Sequence, residues 1–207
     1  GDIIARASDD ISRLRVEAKG KADFVTEVDL AAEEEIIGSL QKTYPDHAFL
    51  CEESGQTGPE DAYYLWIIDP LDGTKDFLQG TGEYAVHLAL VHKQRPVLGV
   101  VLQPEREEVW FGLVEEQKAW CETRDGAQRP AQLSSRAQRS ELVLVASRNH
   151  RDERLEHLLA ALALGDTKAI GSVGGKVATI LRGETDVYVS LSGRSAPKDW
   201  DMAAPEA

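Results

Sequence analysis

The chain has 207 residues, 42% of them hydrophobic, and a formal net charge of −13 at pH 7. These values are typical of a soluble globular protein with one large or two small domains. The acidic balance argues against a nucleic-acid polymer as partner, and no apolar run reaches the roughly 18 residues of a membrane span. An anionic substrate would need bound divalent cations to attract it.

Apolar residues at helical spacing predict two helices near the start of the chain, over residues 3–16 and 29–44. In the second helix, Glu33 to Glu35 are assigned to the solvent face, and Pro45 ends the helix. No secretory leader is visible. Residue 1 is glycine rather than methionine, so the sequence does not exclude a segment before it.

A strand-rich middle and a mixed C-terminal part follow. Short apolar runs between polar clusters predict strands over 47–51, 63–68, 84–91, 97–102, 109–113, 118–121, 142–146 and 187–190. Two further helices are predicted over 153–164 and 175–181. This order indicates an α+β fold rather than βαβ alternation. A polar segment, 123–139, suggests an N-terminal α+β subdomain (1–130) and a C-terminal α/β subdomain (131–207).

The two cysteines, Cys51 and Cys121, each lie in an apolar, strand-like run. Two thiols cannot complete a four-ligand zinc site. We expect both side chains to be buried, reduced and structural, which indicates a reducing compartment and therefore a cytoplasmic location.

The segment W-I-I-D-P-L-D-G-T-K-D-F, residues 66–77, carries two aspartates at the end of a predicted strand. Pro70 cannot donate to a sheet ladder, so the strand is expected to end near Asp69. Asp69, the Leu71 carbonyl and Asp72 then offer three hard oxygen donors on one turn. Such a set suits Mg²⁺ or Mn²⁺ rather than zinc or copper.

The next two residues suit an anion held by such metals. Gly73 permits close backbone approach, and a helix starting at Thr74 would direct free amides toward the anion. Taken alone, the segment is equally consistent with an ordinary turn, since Asp-Pro and Asp-Gly are common turn dipeptides.

Acids elsewhere in the chain are placed to join this turn. Glu52 follows the predicted strand 47–51, and Asp201 lies in the first turn of a helix that begins at Trp200. Asp29 opens the second predicted helix. Asp29 and Asp201 each have an ordinary explanation as helix-capping acids.

Together these blocks resemble the inositol monophosphatase superfamily of lithium-sensitive, magnesium-dependent phosphomonoesterases. The blocks are Glu52-Glu53, D-P-L-D-G-T at 69–74 and W-D-x-A-A at 200–204, and their order and spacing match over nearly the whole chain. The resemblance implies a layered α/β/α/β sugar-phosphatase-like sandwich. Because family members usually continue past the position of Ala207, we expect the C-terminal part of that sandwich to be lacking.

The resemblance also implies a set of site residues. The implied ligands of two or three Mg²⁺ ions, with Mn²⁺ as a substitute, are Glu52, Asp69, the Leu71 carbonyl, Asp72 and Asp201. Thr74 would orient the attacking water with help from Asp29, and the amides of Gly73 and Thr74 would hold the phosphate, beside Asp201. No histidine has an implied role, and His87 and His92 are interpreted as strand residues.

Two details favour the 3′(2′),5′-bisphosphate nucleotidases within the superfamily. Residues 72–77 read D-G-T-K-D-F, similar to the D-G-T-K-[DE]-F of nucleotidases, whereas inositol phosphatases usually read D-G-T-x-N-F. Ser172 and Lys176 resemble the segment that nucleotidases use to hold a second phosphate. Gly193, Arg194 and Lys198 are weaker candidates for contact with a 5′-phosphate.

The expected substrate is therefore a small, anionic, phosphorylated molecule. The leading expectation is Mg²⁺-dependent hydrolysis of the 3′-phosphate of adenosine 3′,5′-bisphosphate to AMP and phosphate, a reaction that belongs to sulfur metabolism. An inositol or sugar phosphate phosphatase with the same metal core and a catalytically silent metal- or phosphate-binding scaffold stay open. The chain itself is expected to be a monomer or a homodimer.

Overall fold

The computed structural model describes residues 2–8, 16–20, 23–149, 151–191 and 196–207. The described helices are α1 (Asp2–Ser8), α2 (Glu27–Thr43), α3 (Thr74–Leu78), α4 (Glu153–Leu162), α5 (Val173–Leu181) and α6 (Asp199–Glu206). The described strands are β1 (Val16–Gly20), β2 (Asp23–Thr26), β3 (Ala48–Cys51), β4 (Gly55–Thr57), β5 (Tyr64–Asp72), β6 (Ala85–His92), β7 (Arg95–Gln103), β8 (Glu108–Leu113), β9 (Lys118–Thr123), β10 (Gln128–Pro130), β11 (Val143–Ser147), β12 (Asp166–Ile170) and β13 (Val187–Tyr188).

Eight strands form the main sheet in the order β10-β9-β8-β7-β6-β5-β3-β4. Its strands pair antiparallel, except that β3 and β5 are parallel neighbours. A two-residue turn joins β6 to β7, with Lys93 at φ 49° and Gln94 at φ 63°. Positive φ at both positions is the geometry that matches the twist of a hairpin.

The second sheet has three parallel strands in the order β12-β11-β13, and β1 pairs separately with β2. Parallel neighbours need crossover connections, which α4 and α5 supply. The chain passes from the main sheet to the second sheet between Pro130 and Val143, a connection that overlaps the polar segment 123–139. The division into two subdomains stays a prediction.

Successive side chains of the central strands point to opposite faces of the main sheet, and both faces are apolar. Helices therefore cover both faces. Trp66 and Ile68 of β5 belong to a buried cluster with Phe49 and Cys51, against which α2 packs. Ile67, between them, faces the opposite way and packs in the cluster that contains residues of α5 and α6. Since α5 also contacts all three strands of the second sheet, the layers run α, β, α, β, as predicted.

Both cysteines are buried and carry free thiols, as expected. Burial, with a smaller contribution from Glu33, raises the pKa of Cys51 to about 12. Burial also raises the pKa of Cys121. Neither thiol is therefore disposed to ionise near neutral pH, which agrees with a structural role.

One strand boundary differs from the prediction. The prediction that β5 ends near Asp69 is wrong, because the strand continues to Asp72. The pairing of β5 with β6 is nevertheless irregular between these two aspartates, where Pro70 lies. The absent amide of proline therefore produces a bulge rather than an end, and the bulge bends the chain at the two acids.

Several other elements also depart from the sequence prediction. The predicted helix over 3–16 is described only as α1, its residues 9–15 lie outside the described residues, and Val16 begins a strand. The strands β1, β2, β4, β10 and β12 were not predicted. Most residues of β4, β10 and β12 are exposed. None of the helices that the structure describes is long and apolar enough to cross a membrane.

Helix α6 lies so close to β7 that glycine is required beneath it. A Cβ at Gly99 would overlap the carbonyl oxygen of Ala204, which is backbone and cannot rotate away. We expect Gly99→Ala to destabilise the protein by about 1–3 kcal/mol, as overpacking does. Urea unfolding followed by circular dichroism measures the change.

Gly38 in α2 provides the matched control for this substitution. Its Cβ position has no neighbour within 4 Å. Gly38→Ala should therefore stabilise the protein by up to about 1 kcal/mol through helix propensity. Equal effects of the two substitutions would contradict the close packing of α6.

Candidate active site

Three carboxylates from two distant parts of the chain meet at one end of the main sheet. Asp69 and Asp72 lie on the bulge of β5, and Asp201 lies in the first turn of α6. One oxygen from each lies within 4.8 Å of the others. Asp69 and Asp72 are 1% and 6% exposed. The structure therefore brings together three of the predicted metal ligands.

Glu52 lies beside this cluster because β3 runs parallel to β5. Parallel neighbours end at the same edge of a sheet, and the residue after β3 therefore emerges near Asp69. The amide of Glu52 donates to the carbonyl of Ile68 over 3.2 Å. Its carboxyl group interacts with that of Asp69 through both charge and a hydrogen bond.

The electrostatics of the cluster are those of a cation site. Burial, and then the charges of Glu52, Asp72 and Asp201, raises the pKa of Asp69 well above its usual range. Burial and Asp72 likewise raise the pKa of Asp201. Four acids this close cannot all ionise without a compensating cation, and their oxygen ligands are those that Mg²⁺ prefers. The residues present therefore fit a divalent cation.

The Leu71 backbone takes part in the same turn. Its amide donates to Asp69 Oδ1 over 3.0 Å, which fixes the carboxylate relative to the chain. Its carbonyl lies 3.2 Å from Thr74 Oγ1. Whether this carbonyl also binds metal, as the resemblance implies, stays a prediction.

The first amides of helix α5 hold the carboxylate of Asp72. Its two oxygens accept the amides of Val173 at 3.0 Å and Gly174 at 2.7 Å, at the positive end of the helix. Burial alone would raise the pKa of Asp72, but His87 and then Lys176 and the Gly174 amide outweigh it, and the pKa lies below its usual value. Of the three aspartates in the cluster, Asp72 is therefore the one that ionises most readily.

His87 is the residue that sequence reasoning missed. It lies on β6, as expected, but its ring is fully buried, with Nε2 3.1 Å from Asp72 Oδ2 and Nδ1 3.3 Å from the carbonyl oxygen of Trp200. It therefore links the two elements that carry Asp72 and Asp201. One feature of the sequence could have indicated this role. His87 alternates with Ala85 and Ala89 along β6, so its polar side chain lies on the same buried face of the strand as two apolar residues.

Asp29 and Thr74 meet at the edge of the cluster. Thr74 Oγ1 lies 3.2 Å from Asp29 Oδ1, while Asp29 Oδ2 accepts the amide and hydroxyl of Thr26. Asp29 is therefore both the capping acid of α2 and a partner of Thr74. Burial raises the pKa of Asp29 against the lowering effect of the Thr26 hydrogen bonds.

Gly73 immediately precedes α3 and has a left-handed backbone conformation, with φ of 91°. A Cβ at this position would lie 3.1 Å from the Glu83 carbonyl oxygen and 3.1 Å from Ser172 Cβ. A side chain is thus disfavoured here on both conformational and steric grounds. The close approach brings the loop after β5 against the start of α5.

The predicted second-phosphate residues lie inside the fold. Ser172 Oγ accepts the Gly175 amide over 2.9 Å, and Lys176 Nζ donates to the carbonyls of Gly171 at 2.8 Å and Ser172 at 2.9 Å. Ser172 is 0% and Lys176 2% exposed. Burial lowers the pKa of Lys176 despite nearby acids. Contact of either side chain with a phosphate stays a prediction.

Of the three weaker candidates, Lys198 is exposed and precedes α6, where its amide donates to Asp201. Gly193 and Arg194 lie outside the described residues.

Asp76, the acid of D-G-T-K-D-F, joins the two sheets. It is buried and accepts hydrogen bonds from Arg148 over 3.0 Å and Asn149 over 2.6 Å, just after β11. Arg148 also donates to Glu83 over 2.7 Å. The residue that separates the nucleotidase-like motif from D-G-T-x-N-F is therefore an inter-sheet contact.

Comparison with known proteins identifies the family. The sequence matches the inositol monophosphatase family over residues 1–207, and the chain belongs to that family. It is 33% identical over 209 residues to the 3′(2′),5′-bisphosphate nucleotidase CysQ of Salmonella typhimurium, covering 100% of this chain and 81% of that protein. It is 30% identical over 210 residues to the Nus factor SuhB of Pasteurella multocida, covering 99% and 75%.

Other relatives align over a shorter region. Identity to the Nus factor SuhB of Pseudomonas aeruginosa is 44% over 110 residues, which is 52% of this chain and 41% of that protein. The corresponding alignment with the putative Nus factor SuhB of Neisseria meningitidis spans 42% of that protein.

Solved structures confirm the predicted α+β fold class. The SuhB protein of Bartonella henselae superposes with a TM-score of 0.85 at 29% identity, over 99% of this chain and 77% of that one. The Thermotoga maritima IMPase gives a TM-score of 0.81 at 25% identity, over 99% and 78%.

The raised pKa of Asp69 predicts a pH-dependent response to Mg²⁺. A native-state pKa above the unfolded value of about 3.9 stabilises the metal-free protein fully below that value, and this contribution is lost as pH rises through the raised pKa. Since Mg²⁺ must displace the proton, the gain in Tm on adding Mg²⁺ should increase with pH over that interval.

Thermal unfolding at several pH values measures this response. The control replaces MgCl₂ with NaCl at equal ionic strength, which screens the acids without binding between them. A gain in Tm that is the same at acid and neutral pH would count against the cluster as a cation site.

Proposed function

We propose that the chain is a Mg²⁺-dependent phosphomonoesterase that hydrolyses the 3′-phosphate of adenosine 3′,5′-bisphosphate to AMP and phosphate. The observation that carries the proposal is the meeting of Asp69, Asp72 and Asp201 beside the Asp29–Thr74 pair. Membership of the inositol monophosphatase family supports phosphatase activity. The alignment with CysQ, which spans 100% of this chain, supports the nucleotide as substrate.

Bound Mg²⁺, with Mn²⁺ as a substitute, would stabilise the entering and departing oxygens of an in-line displacement and lower the pKa of the attacking water. Glu52, Asp69, Asp72 and Asp201 would hold it. The buried placement of Asp69 and Asp72 fixes their oxygens, so that little reorganisation accompanies the reaction.

The chain's own contribution to the water is the Thr74–Asp29 pair. Thr74 can donate its hydroxyl proton to Asp29 Oδ1, and its lone pairs then accept a hydrogen bond from the water and orient it. Asp29 Oδ2 is already held by Thr26, so Oδ1 is the oxygen directed at Thr74. A pKa raised by burial makes Asp29 a stronger proton acceptor than an exposed aspartate.

The phosphate being cleaved would be held by the backbone at the start of α3. Gly73 has no side chain, so its amide and that of Thr74 can approach an anion closely. Asp201, on the far side of the cluster, would contact the substrate as well as the metal.

A second candidate is an inositol or sugar phosphate phosphatase with the same metal core. The superposition on the T. maritima IMPase favours it. The two candidates differ in the part of the substrate that binds beyond the cleaved phosphate. A catalytically silent scaffold is disfavoured, because a binding protein would not need the Thr74–Asp29 contact.

A substrate panel distinguishes these candidates. The rate with adenosine 3′,5′-bisphosphate and with inositol 1-phosphate is measured with Mg²⁺ and with EDTA. We expect a higher kcat/KM on the nucleotide and no turnover in EDTA. A preference for inositol 1-phosphate would reject the nucleotide and retain the metal site, whereas turnover in EDTA would reject the metal mechanism.

Asp72→Asn tests the catalytic cluster itself. The substitution removes one negative charge but retains an oxygen for an α5 amide, so the fold should persist by circular dichroism. We expect kcat/KM to fall by at least ~10³-fold, because the charge that holds the cation is weakened. Asp46→Asn, at an exposed turn after α2, is the control and should leave turnover unchanged.

A further inference from the structure

Glu33 on α2 is a buried carboxylate to which the proposed reaction assigns no role. It is 3% exposed, and the prediction that it faces solvent with Glu34 and Glu35 is wrong for Glu33 alone, since those two neighbours are exposed. Burial of an acid is costly unless its charge is satisfied by hydrogen bonds. The partners of Glu33 therefore indicate what it does.

Both oxygens of Glu33 bind the turn that carries Glu52. Oε2 accepts the Glu53 amide over 2.9 Å, and Oε1 accepts the Ser54 amide over 2.8 Å. Hydrogen bonds from amides to an ionised carboxylate are about twice as strong as neutral ones. On the other side, the Glu52 amide is bound to the Ile68 carbonyl. The backbone is therefore fixed on both sides of Glu52.

The placement of Glu33 follows from the geometry of its helix. Asp29 and Glu33 are four residues apart, so they lie on the same face of α2, one turn after the other. Asp29 contacts Thr74, after β5, and Glu33 contacts the turn after β3. One helix face thus fixes the distance between the water-orienting pair and the turn that carries Glu52.

We propose that Glu33 is a positioning residue for the metal site, which holds the Glu52 carboxylate against Asp69. The inference rests on the proposed function in one respect, namely that the acid cluster binds a divalent cation. Glutamine at this position can accept one of the two amides, but its NH₂ group would face the other amide. Glu33→Gln should therefore release one side of the turn without changing side-chain size.

The test measures Mn²⁺ binding to the metal-free protein by isothermal titration calorimetry. Glu33→Gln should weaken binding by about 10- to 100-fold, the usual effect of removing a group that orients a metal ligand. Glu34→Gln removes the same charge from an adjacent exposed position of the helix and should bind Mn²⁺ like the unmodified chain. Equal binding by Glu33→Gln and Glu34→Gln would overturn the inference.

A double-mutant cycle separates positioning from general destabilisation. If Glu33 acts through Glu52, then adding Glu33→Gln to Glu52→Gln should change Mn²⁺ affinity by no more than about twofold. A further loss as large as in the unmodified background would overturn the inference. In turnover, Glu33→Gln should raise the Mg²⁺ concentration needed for half-maximal rate, and saturating Mg²⁺ should restore kcat.

Glu33→Asp keeps the test decisive if the glutamine variant does not fold. Aspartate retains the charge but is one methylene shorter, so it cannot reach both amides, and the same loss of Mn²⁺ affinity is expected. Unchanged affinity in this variant would also overturn the inference. Failure of the unmodified chain to bind Mn²⁺ would instead overturn the proposed metal site, and the role of Glu33 with it.

Discussion

The repulsion among carboxylates gathered at the end of β5 is the constraint on which the rest of the structure depends. Asp69 and Asp72 are both buried, and Glu52 and Asp201 approach them from β3 and α6. Around this cluster the fold supplies partial compensation, in the amides at the start of α5 and in His87. These stabilise the ionised form of Asp72 but do not offset the rise in the pKa of Asp69. A divalent cation would neutralise the negative charge of the cluster that these groups leave uncompensated.

Side chains outside the acid cluster determine the geometry of the site. His87 joins Asp72 to the backbone beside Asp201, Glu33 fixes the turn after Glu52, and the Asp76–Arg148 pair joins the two sheets next to Gly171. Each of these groups is buried or partly buried and spans two elements. The acids of the cluster are local features of the sequence, whereas their relative positions depend on these longer-range contacts.

The sequence predicted the parts of the molecule that follow from local chemistry. The oxygen donors between Asp69 and Asp72 and the α+β order of the elements were predictable because spacing and residue type define them. The four-layer arrangement was instead implied by the resemblance to the family. The roles of His87 and Glu33 were not, because each depends on a partner distant in sequence. Strand β12 was missed for a related reason, since its exposed, polar residues adopt strand geometry by pairing with β11.

The hairpin of β3 and β4 is the outer edge of the main sheet, and Glu52 lies in its turn. Sheet edges fray more readily than sheet centres, because an edge strand is paired on one side only. Transient separation of β4 would thus disturb Glu52, a proposed metal ligand, while the interior stays intact. Occupancy of the site by the ion would then depend on local opening of this sheet edge, at temperatures well below that of global unfolding.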